Sequence, residues 1–488
     1  MRPTVRFLTD DLIKQIIDEA VHILCRLGLQ IHNKQILSLL ADHQAKVDMD
    51  HFHVNLTEEI IQKAIKTAPP SFQLYDVKGN QTHDFSGYNV YFTPGSTALN
   101  ILDGQTQEMR KPFTNDFIDF SKIMAQLEHI ASTSTAFIPT DVHEKISDSY
   151  RLFLSLLYCE KPVVTGAFTA ESFDVMKDLQ LAVRHSESEL KKKPLTIFSC
   201  CPTSPLKWSE VTSQNLIDCA RYAIPVEFIA MPLAGFIAPV TLTGTLIQHT
   251  AETLSGVVIS QLSNPGTPIL YGGSPAIFDH RYETTPMGAV ETMMIDCAYN
   301  EIGKFLNLPT QAYISMSDAK QLDAQAGLES GAGATLAALA GINSISGPGM
   351  VDFESCQSLE KLVFDNEMCG MTFRLIDGIT PRDDFPALPI FQELLREKHL
   401  LIAEHTTRYR HKEIFFPGPA IDRANRERWK QQGAMDLNAR LHNEVQKLLK
   451  TYQPSTLPGA IKKDLVKLME KEARRHGQDH LPLPPMTT

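Results

Sequence analysis

The stretch "INSISGPGMVDFESCQSLEKLVFDNE", residues 342–367, opens as a short apolar strand and breaks at Gly347, Pro348 and Gly349. It then sets Asp352, Phe353 and Glu354 in a row before an acidic helical pattern begins. A buried strand, a glycine-rich end and a following helix form the unit from which parallel sheets are built. Upstream the same unit recurs seven times, at "NVYFTPGS" (89–96), "IASTSTAFIPT" (130–140), "KPVVTGAF" (161–168) and "PLTIFSCCPTSPL" (194–206), then at "IPVEFIAMPLAG" (224–235), "TPILYGGSPAIFD" (267–279) and "PTQAYISMSDAK" (309–320). Eight near-continuous apolar strands alternating with helices predict an α/β fold, a (β/α)8 TIM barrel. An open doubly wound sheet is the alternative, but no GxGxxG or GxxxxGK[ST] loop follows any strand.

Outside that core, residues 1–88 read as an N-terminal helical preface. "TDDLIKQIIDEAVHILCRLGLQI" has apolar residues at helical spacing, Thr9 as cap and Gly28 as stop. In "NLTEEIIQKAIKTAPP", Asn55 with Glu58 three residues later predicts the cap, and Pro69–Pro70 the stop. The barrel is expected over 89–380, C-terminal helices over 381–475 and a flexible Pro-rich tail over 476–488. This C-terminal helical extension is expected to wrap the barrel or to make a subunit contact in a homo-oligomer.

Composition narrows the function. The 488 residues are 43% hydrophobic and 21% charged, ordinary for a soluble enzyme. A net charge of −11 with only short basic runs argues against a nucleic-acid partner. No signal-peptide core and no apolar run of spanning length appear, so no membrane association and a cytoplasmic location are expected. Eight scattered cysteines fit reduced thiols.

In a barrel of this kind the working face lies at the C-terminal ends of the strands. Aromatic residues recur there: Tyr91, Phe92, Phe137, Phe168, Phe198, Phe236, Tyr271, Phe278, Tyr313 and Phe353. Each taken singly reads first as barrel and loop packing. Converging with Asp279, Asp352 and Glu354, they would suit an organic cation through cation–π contact and carboxylate attraction. His249, His280, Arg281 and Lys320 are candidates for an anionic group on the same ligand. No HExxH, CxxC or EF-hand loop is present, and no resident metal is expected. Cys200–Cys201 is the one pair that would support a zinc-thiolate alternative. No GxSxG elbow or other nucleophile set is recognisable, which favours a reaction whose nucleophile arrives on another molecule.

Several segments resemble the trimethylamine methyltransferase family of corrinoid-dependent enzymes. They are "VYFTPGSTALNILDGQTQEMRKPFTNDF" (90–117), "LPTQAYISMSDAKQLDAQAGLES" (308–330), "AGINSISGPGMVDFESCQSLEKLVFDNEMCGM" (340–371), "HTTRYRHKEIFFPGPAIDR" (405–423) and "WKQQGAMDLNARLHNEVQKLL" (429–449). The resemblance implies a barrel that moves a methyl group from a methylated amine to the Co(I) of a corrinoid, cob(I)alamin, presented by a cognate corrinoid protein, with no cofactor bound tightly by this chain. The family's trimethylamine enzymes carry a pyrrolysine in or near the segment matching 349–355, where this sequence has only standard residues. The resemblance therefore implies a quaternary amine substrate. Glycine betaine is favoured, with proline betaine, carnitine or γ-butyrobetaine as alternatives. A non-catalytic betaine-binding barrel is the reading without chemistry. Phe353, Glu354, Tyr313, Phe278, Tyr271, Phe236, Phe168 and Tyr91 are the expected cation contacts, and His280, Arg281 and Gln325 the expected carboxylate contacts. No catalytic side chain is assigned, since cobalt is the nucleophile.

Overall fold

Eight parallel strands close on themselves in the computed structural model, which describes residues 2–484. They are β1 (Tyr91–Thr93), β2 (Thr133–Ser134), β3 (Val163–Thr165), β4 (Thr196–Cys200), β5 (Val226–Phe228), β6 (Ile269–Leu270), β7 (Gln311–Tyr313) and β8 (Ser344–Ser346). Neighbours β2 through β6 pair in order. Strand β8 pairs with both β7 and β1, so first and last strands meet. The two remaining seams are closed by backbone bonds outside the paired strand residues, among them Ala131 N–H to Phe92 C=O at 2.9 Å on one side, and Tyr271 N–H to Pro309 C=O at 2.8 Å with Gln311 N–H to Tyr271 C=O at 3.1 Å on the other. Each predicted run contains one of these strands. Closure rules out the open-sheet alternative, because a doubly wound sheet keeps two unpaired edges.

Helices α1 (Thr114–Met124), α2 (Ser147–Tyr158), α3 (Ala170–Arg184), α4 (Glu210–Tyr222), α5 (Leu242–Ser263), α6 (Val290–Phe305), α7 (Ala324–Ala340) and α8 (Leu359–Ile376) follow the strands in turn. Most of the core lies between them and the outward strand residues, where Phe92, Phe137 and Phe198 are fully buried. A second, smaller core fills the barrel itself. Val164, Ile197 and Leu270 face inward and meet Phe72, Leu74 and Phe85 from an antiparallel hairpin, Gln73–Tyr75 with Gln81–Asp84. That hairpin plugs the end where the strands begin, so only their C-terminal ends open to a ligand.

The preface helix Asp10–Arg26 is capped by Thr9, whose Oγ1 accepts from Leu12 N–H, and it ends at Gly28 with φ +74°. The helix Glu58–Thr67 is capped by Thr57 instead of Asn55. Asn55 closes the preceding strand and donates from its side chain to Arg26 C=O, which leaves the next hydroxyl to accept from Ile60 N–H. Both helices lie across α5, which explains why α5 is buried nearly all round. The C-terminal extension forms helices Leu388–Glu397, Glu404–Glu413, Arg426–Gln431, Leu437–Thr451 and Gly459–Arg475. Beyond it, Leu481 and Leu483 pack on the core, and the last expected tail residues, 485–488, lie outside the described residues. No described helix is long and apolar enough to cross a membrane.

Candidate active site at the barrel mouth

Side chains alternate along a strand, so the residues two beyond the inner core also face inward, nearer the mouth. The strand registers place Thr93, Ser199, Glu227, Tyr313 and Ser346 there, with Gln311 just below. Glu227 is fully buried, and Ser199 Oγ donates to its Oε1 at 2.7 Å. Its other oxygen has no partner among the described residues, and neither do Thr93 Oγ1, Gln311 Nε2 or Ser346 Oγ. Buried polar atoms are nearly always bonded, so four orphans around one axis mark a place built for something else to bond.

A second carboxylate arrives from the loop after β8. Asp352, Phe353 and Glu354 have φ of +52°, +57° and +71°, three consecutive non-glycine residues in the left-handed region. Each costs roughly 1–2 kcal/mol, which persists only where surrounding contacts hold it. Here they do. Asp352 N–H donates to Ala319 C=O at 2.9 Å, and Ser355 N–H closes back on Asp352 C=O. Behind the turn, Gly349 N–H donates to Asp365 at 2.6 Å, and Lys361 pairs with the same carboxylate at 2.5 Å, both side chains wholly buried. Gly349 has φ +87°, and a Cβ there would fall 2.2 Å from Gln357 Nε2.

The turn sends the Glu354 side chain into the mouth, where it accepts from Ser96 N–H at 3.3 Å. Its carboxyl is enclosed although part of the residue reaches solvent. Burial, and then the negative charge of Glu227, push it up to about 8. Burial alone pushes Glu227 up to about 7, against the Ser199 bond that lowers it. Tyr313 is driven well above its ordinary range by burial and then by these two carboxylates. The Cys201 thiol is driven to about 12 by burial, with Cys200 and both glutamates adding to it. These groups therefore lie together as an acidic floor at the mouth. Its two carboxyls hold protons near neutrality, chiefly because burial disfavours their charged forms, with the charge of Glu227 adding to the effect at Glu354.

The remaining sequence candidates spread more widely than expected. Phe168, at the end of β3, is 43% exposed with the Arg151 guanidinium 4.7 Å over its ring. Phe236 and Phe278 stack at 4.7 Å and meet His280 edge-on, making an exposed aromatic rim. Phe353 belongs to the strained turn, but Lys320 Nζ sits 3.8 Å over its ring and 3.5 Å from Asp352. Arg281 is exposed and paired with Asp279 at 2.6 Å, and Gln325 is exposed and bonded to Glu329. Tyr271 is not at the mouth. Leu270 takes the inward place on β6, so Tyr271 points at the helices and donates to Thr250 on α5 at 3.1 Å. His249 packs on that same outer side, stacked on Tyr299. Tyr91 faces inward from the strand's start, beside the hairpin plug, and accepts from Asp84 N–H. Cys200 turns outward toward Cys219 while Cys201 faces the mouth, so the pair does not converge. No metal-holding group of three His, Cys, Asp or Glu occurs among the described residues.

Sequence reading missed Glu227, Gln311, Ser199 and Ser346. One signal was available. Glu227 is the only charged residue in "IPVEFIAMP" (224–232), and a charge inside a buried strand needs a reason.

A mouth with a carboxylate floor, an aromatic rim and, in Cys201, a thiol that burial keeps protonated suits a bound cation that reacts with something brought from outside. The family model for trimethylamine methyltransferase (MTTB) matches residues 1–477. The chain belongs to that family. It is 30% identical to trimethylamine methyltransferase MttB of Methanosarcina thermophila, over 94% of this chain and 96% of that protein. It is 28% identical to MttB of Desulfitobacterium hafniense DCB-2, over 96% and 94%. Glycine betaine methyltransferase of Desulfitobacterium hafniense Y51 is 26% identical, over 98% and 99%. The crystal structure of Methanosarcina barkeri monomethylamine methyltransferase superposes with a TM-score of 0.53 at 11% identity, covering 92% of this chain and 89% of that one, a likeness of fold. This member of the trimethylamine methyltransferase family is thus a TIM-barrel methyltransferase acting on methylated amines.

Proposed function

We propose that the chain moves a methyl group from a quaternary amine, with glycine betaine the leading donor, to the Co(I) of a corrinoid carried by a separate protein. The observation that carries this reading is the pair Glu227 and Glu354, two enclosed carboxyls at the barrel mouth whose proton affinity no cationic side chain among the described residues lowers. A permanent cation is the ligand that satisfies such a floor, and its arrival favours loss of the protons these carboxyls hold near neutrality. The glycine betaine methyltransferase among the relatives supports the donor class, as does the run of standard residues at 349–355.

A quaternary nitrogen already carries the charge that makes a neutral tertiary amine leave, so the barrel has no nucleophile to generate. The chain's own part is to bind, orient and exclude water. Glu227 is fixed by Ser199, and Glu354 by the strained turn; together they set the nitrogen on the barrel axis with one methyl directed outward. Charge on nitrogen disappears as the methyl departs, so excessive attraction would favour the bound donor over the transition state. Two partly protonated carboxyls temper that attraction. Lys320 and His280 at the rim are the groups proposed to meet a betaine carboxylate. The exposed Phe168 and Phe236 are proposed as part of the ground on which the corrinoid protein lands.

The test is a donor panel. Purified protein with cob(I)alamin is given glycine betaine, proline betaine, carnitine, γ-butyrobetaine and trimethylamine, and methylcobalamin formation is followed by absorbance. Methyl transfer from a quaternary amine with loss of one methyl is expected. Transfer from trimethylamine alone, or from none, overturns the reading.

A further inference from the structure

The closed end of the barrel carries an amine that methyl transfer at the mouth does not use. Lys304 stands in the last turn of α6 and reaches the residues that lead into β1 and β8. Its Nζ donates to Gly87 C=O at 2.6 Å and to Asn343 Oδ1. The Asn343 amide is held that way round, because its Nδ2 donates to Asn89 C=O at 2.8 Å and to Gly87 C=O at 3.2 Å, and its Oδ1 also accepts from Thr310 N–H at 3.0 Å. Lys304 has only these two acceptors among the described residues. An ammonium carries three N–H donors, whereas the neutral amine carries two and a lone pair. The neutral form therefore leaves no donor unmatched. Burial, and then the charge of Arg2, bring the amine down to about 7. About half of it is then unprotonated near neutral pH, against fewer than about one in a thousand for an exposed lysine.

Lys304 and Tyr88, whose ring centre is 5.7 Å from Nζ, line a cleft of about 230 Å³ between α6, the end of α7 and the chain's first residues. The acidic groups around it are engaged. Glu301 accepts from Phe7 N–H at 2.6 Å and from Arg6 Nε at 3.3 Å, and Asp10 pairs with Arg6 at 2.6 Å. Asp377 is near enough to Arg2 to raise its pKa, but burial outweighs it. Arg2 Nη2 donates to Ala338 C=O at 2.8 Å, while its buried Nε has no acceptor among the described residues. A neutral amine beside a guanidinium with an unmatched N–H is a nucleophile next to the counter-charge for an anionic product.

We propose that Lys304 is a carbon dioxide site, where a reversible carbamate forms with Arg2 as its counter-charge. The Nζ lone pair bonds to the carbon of CO2, one C=O π pair moves onto oxygen, and one proton leaves Nζ for solvent. The product is the anion R–NH–COO⁻. Its remaining N–H keeps one of the two acceptors, and the other stays bonded, since Gly87 C=O also accepts from Asn343 and Asn343 Oδ1 from Thr310. Its new oxygens supply the acceptor that Arg2 Nε lacks. Three added heavy atoms fit the cleft, since a water's share of liquid volume is about 30 Å³. Acylation by an activated ester would instead give a neutral amide and leave the Arg2 charge unmatched. The carbamate ties Arg2 to α6, alongside Phe7 on Glu301 and Val5 N–H on Leu339 C=O at 3.2 Å. It therefore fastens the chain's first residues to the barrel, at the end remote from Glu227 and Glu354.

The full chain is equilibrated near neutral pH with carbon-13-labelled bicarbonate and dissolved CO2, and carbamates are read by carbon-13 NMR, then trapped with triethyloxonium and located by mass spectrometry. A carbamate on Lys304, at higher occupancy than on any exposed lysine, is expected. Arg2→Gln is expected to lower that occupancy at least about five-fold, the loss of one part-exposed ion pair, and Lys304→Arg to abolish it, both with unchanged circular dichroism. Hydrogen exchange over residues 2–8 is expected to slow with CO2 in the unaltered protein and not in Lys304→Arg. A carbamate confined to the terminal amine and exposed lysines overturns the proposal, as does labelled bicarbonate held without a covalent bond. Equal occupancy of Lys304 in folded Arg2→Gln removes Arg2 as counter-charge and overturns it too.

Discussion

Glu227→Gln probes the charge logic of the mouth most directly. The replacement keeps shape and can still accept from Ser199, so the fold is expected to hold while one carboxylate disappears. An ammonium about 4.5 Å from a carboxylate, at an effective dielectric of about 20, gains about 4 kcal/mol. Part of that is spent on removing the proton that Glu227 and Glu354 hold near neutrality, about 1.4 kcal/mol per pH unit below the group's value. A net loss of roughly 1–3 kcal/mol remains, or about a ten- to hundred-fold weaker affinity for a quaternary amine. The sign with pH follows from the raised values. A cation favours the ionised carboxyls, so wild-type affinity is expected to rise with pH until about 8, where Glu354 ionises unaided. In the variant Glu354 keeps the effect of burial but loses the repulsion of Glu227, so the rise is complete at lower pH. Isothermal titration with glycine betaine in two buffers of different ionisation heat counts the proton released. No proton release from the wild type, or equal affinity in a correctly folded variant, would refute the reasoning.

Three further outcomes follow from the same contacts. Because folded Glu227 and Glu354 hold protons at about 7 and 8, against about 4.3 in an unfolded chain, the folded state binds more protons between those values. Their contribution to stability is lost as pH rises through that window, and Glu227→Gln should stabilise the protein by roughly 2–4 kcal/mol at pH above 8 and much less near pH 5, read by urea unfolding. Lys361→Met leaves Asp365 buried with only Gly349 N–H and should cost about 3–5 kcal/mol in the same assay; a loss below 1 kcal/mol would show that the pair does not anchor the turn. Tyr271→Phe removes one buried bond to Thr250, so about 1 kcal/mol of stability should be lost with donor affinity unchanged, whereas a large affinity loss would return Tyr271 to the site.

The barrel was legible in the chain because each strand is buried on both faces and ends in turn-forming residues, a one-dimensional pattern that no distant contact has to complete. The strand end at Gly347–Gly349 and the acidic, aromatic run after it could be read the same way. Which rings reach the mouth could not. That depends on the inward or outward phase of each short strand, and a run with apolar residues in both phases does not declare it. Thus Tyr271 in "ILYGG" turned to the helices while Tyr313 in "QAYIS" turned to the axis. Only the closed barrel brought Glu227 of β5 beside Glu354, 127 positions later in the chain, and only burial within that barrel gave two ordinary glutamates their raised proton affinity, the charge of Glu227 adding to it at Glu354.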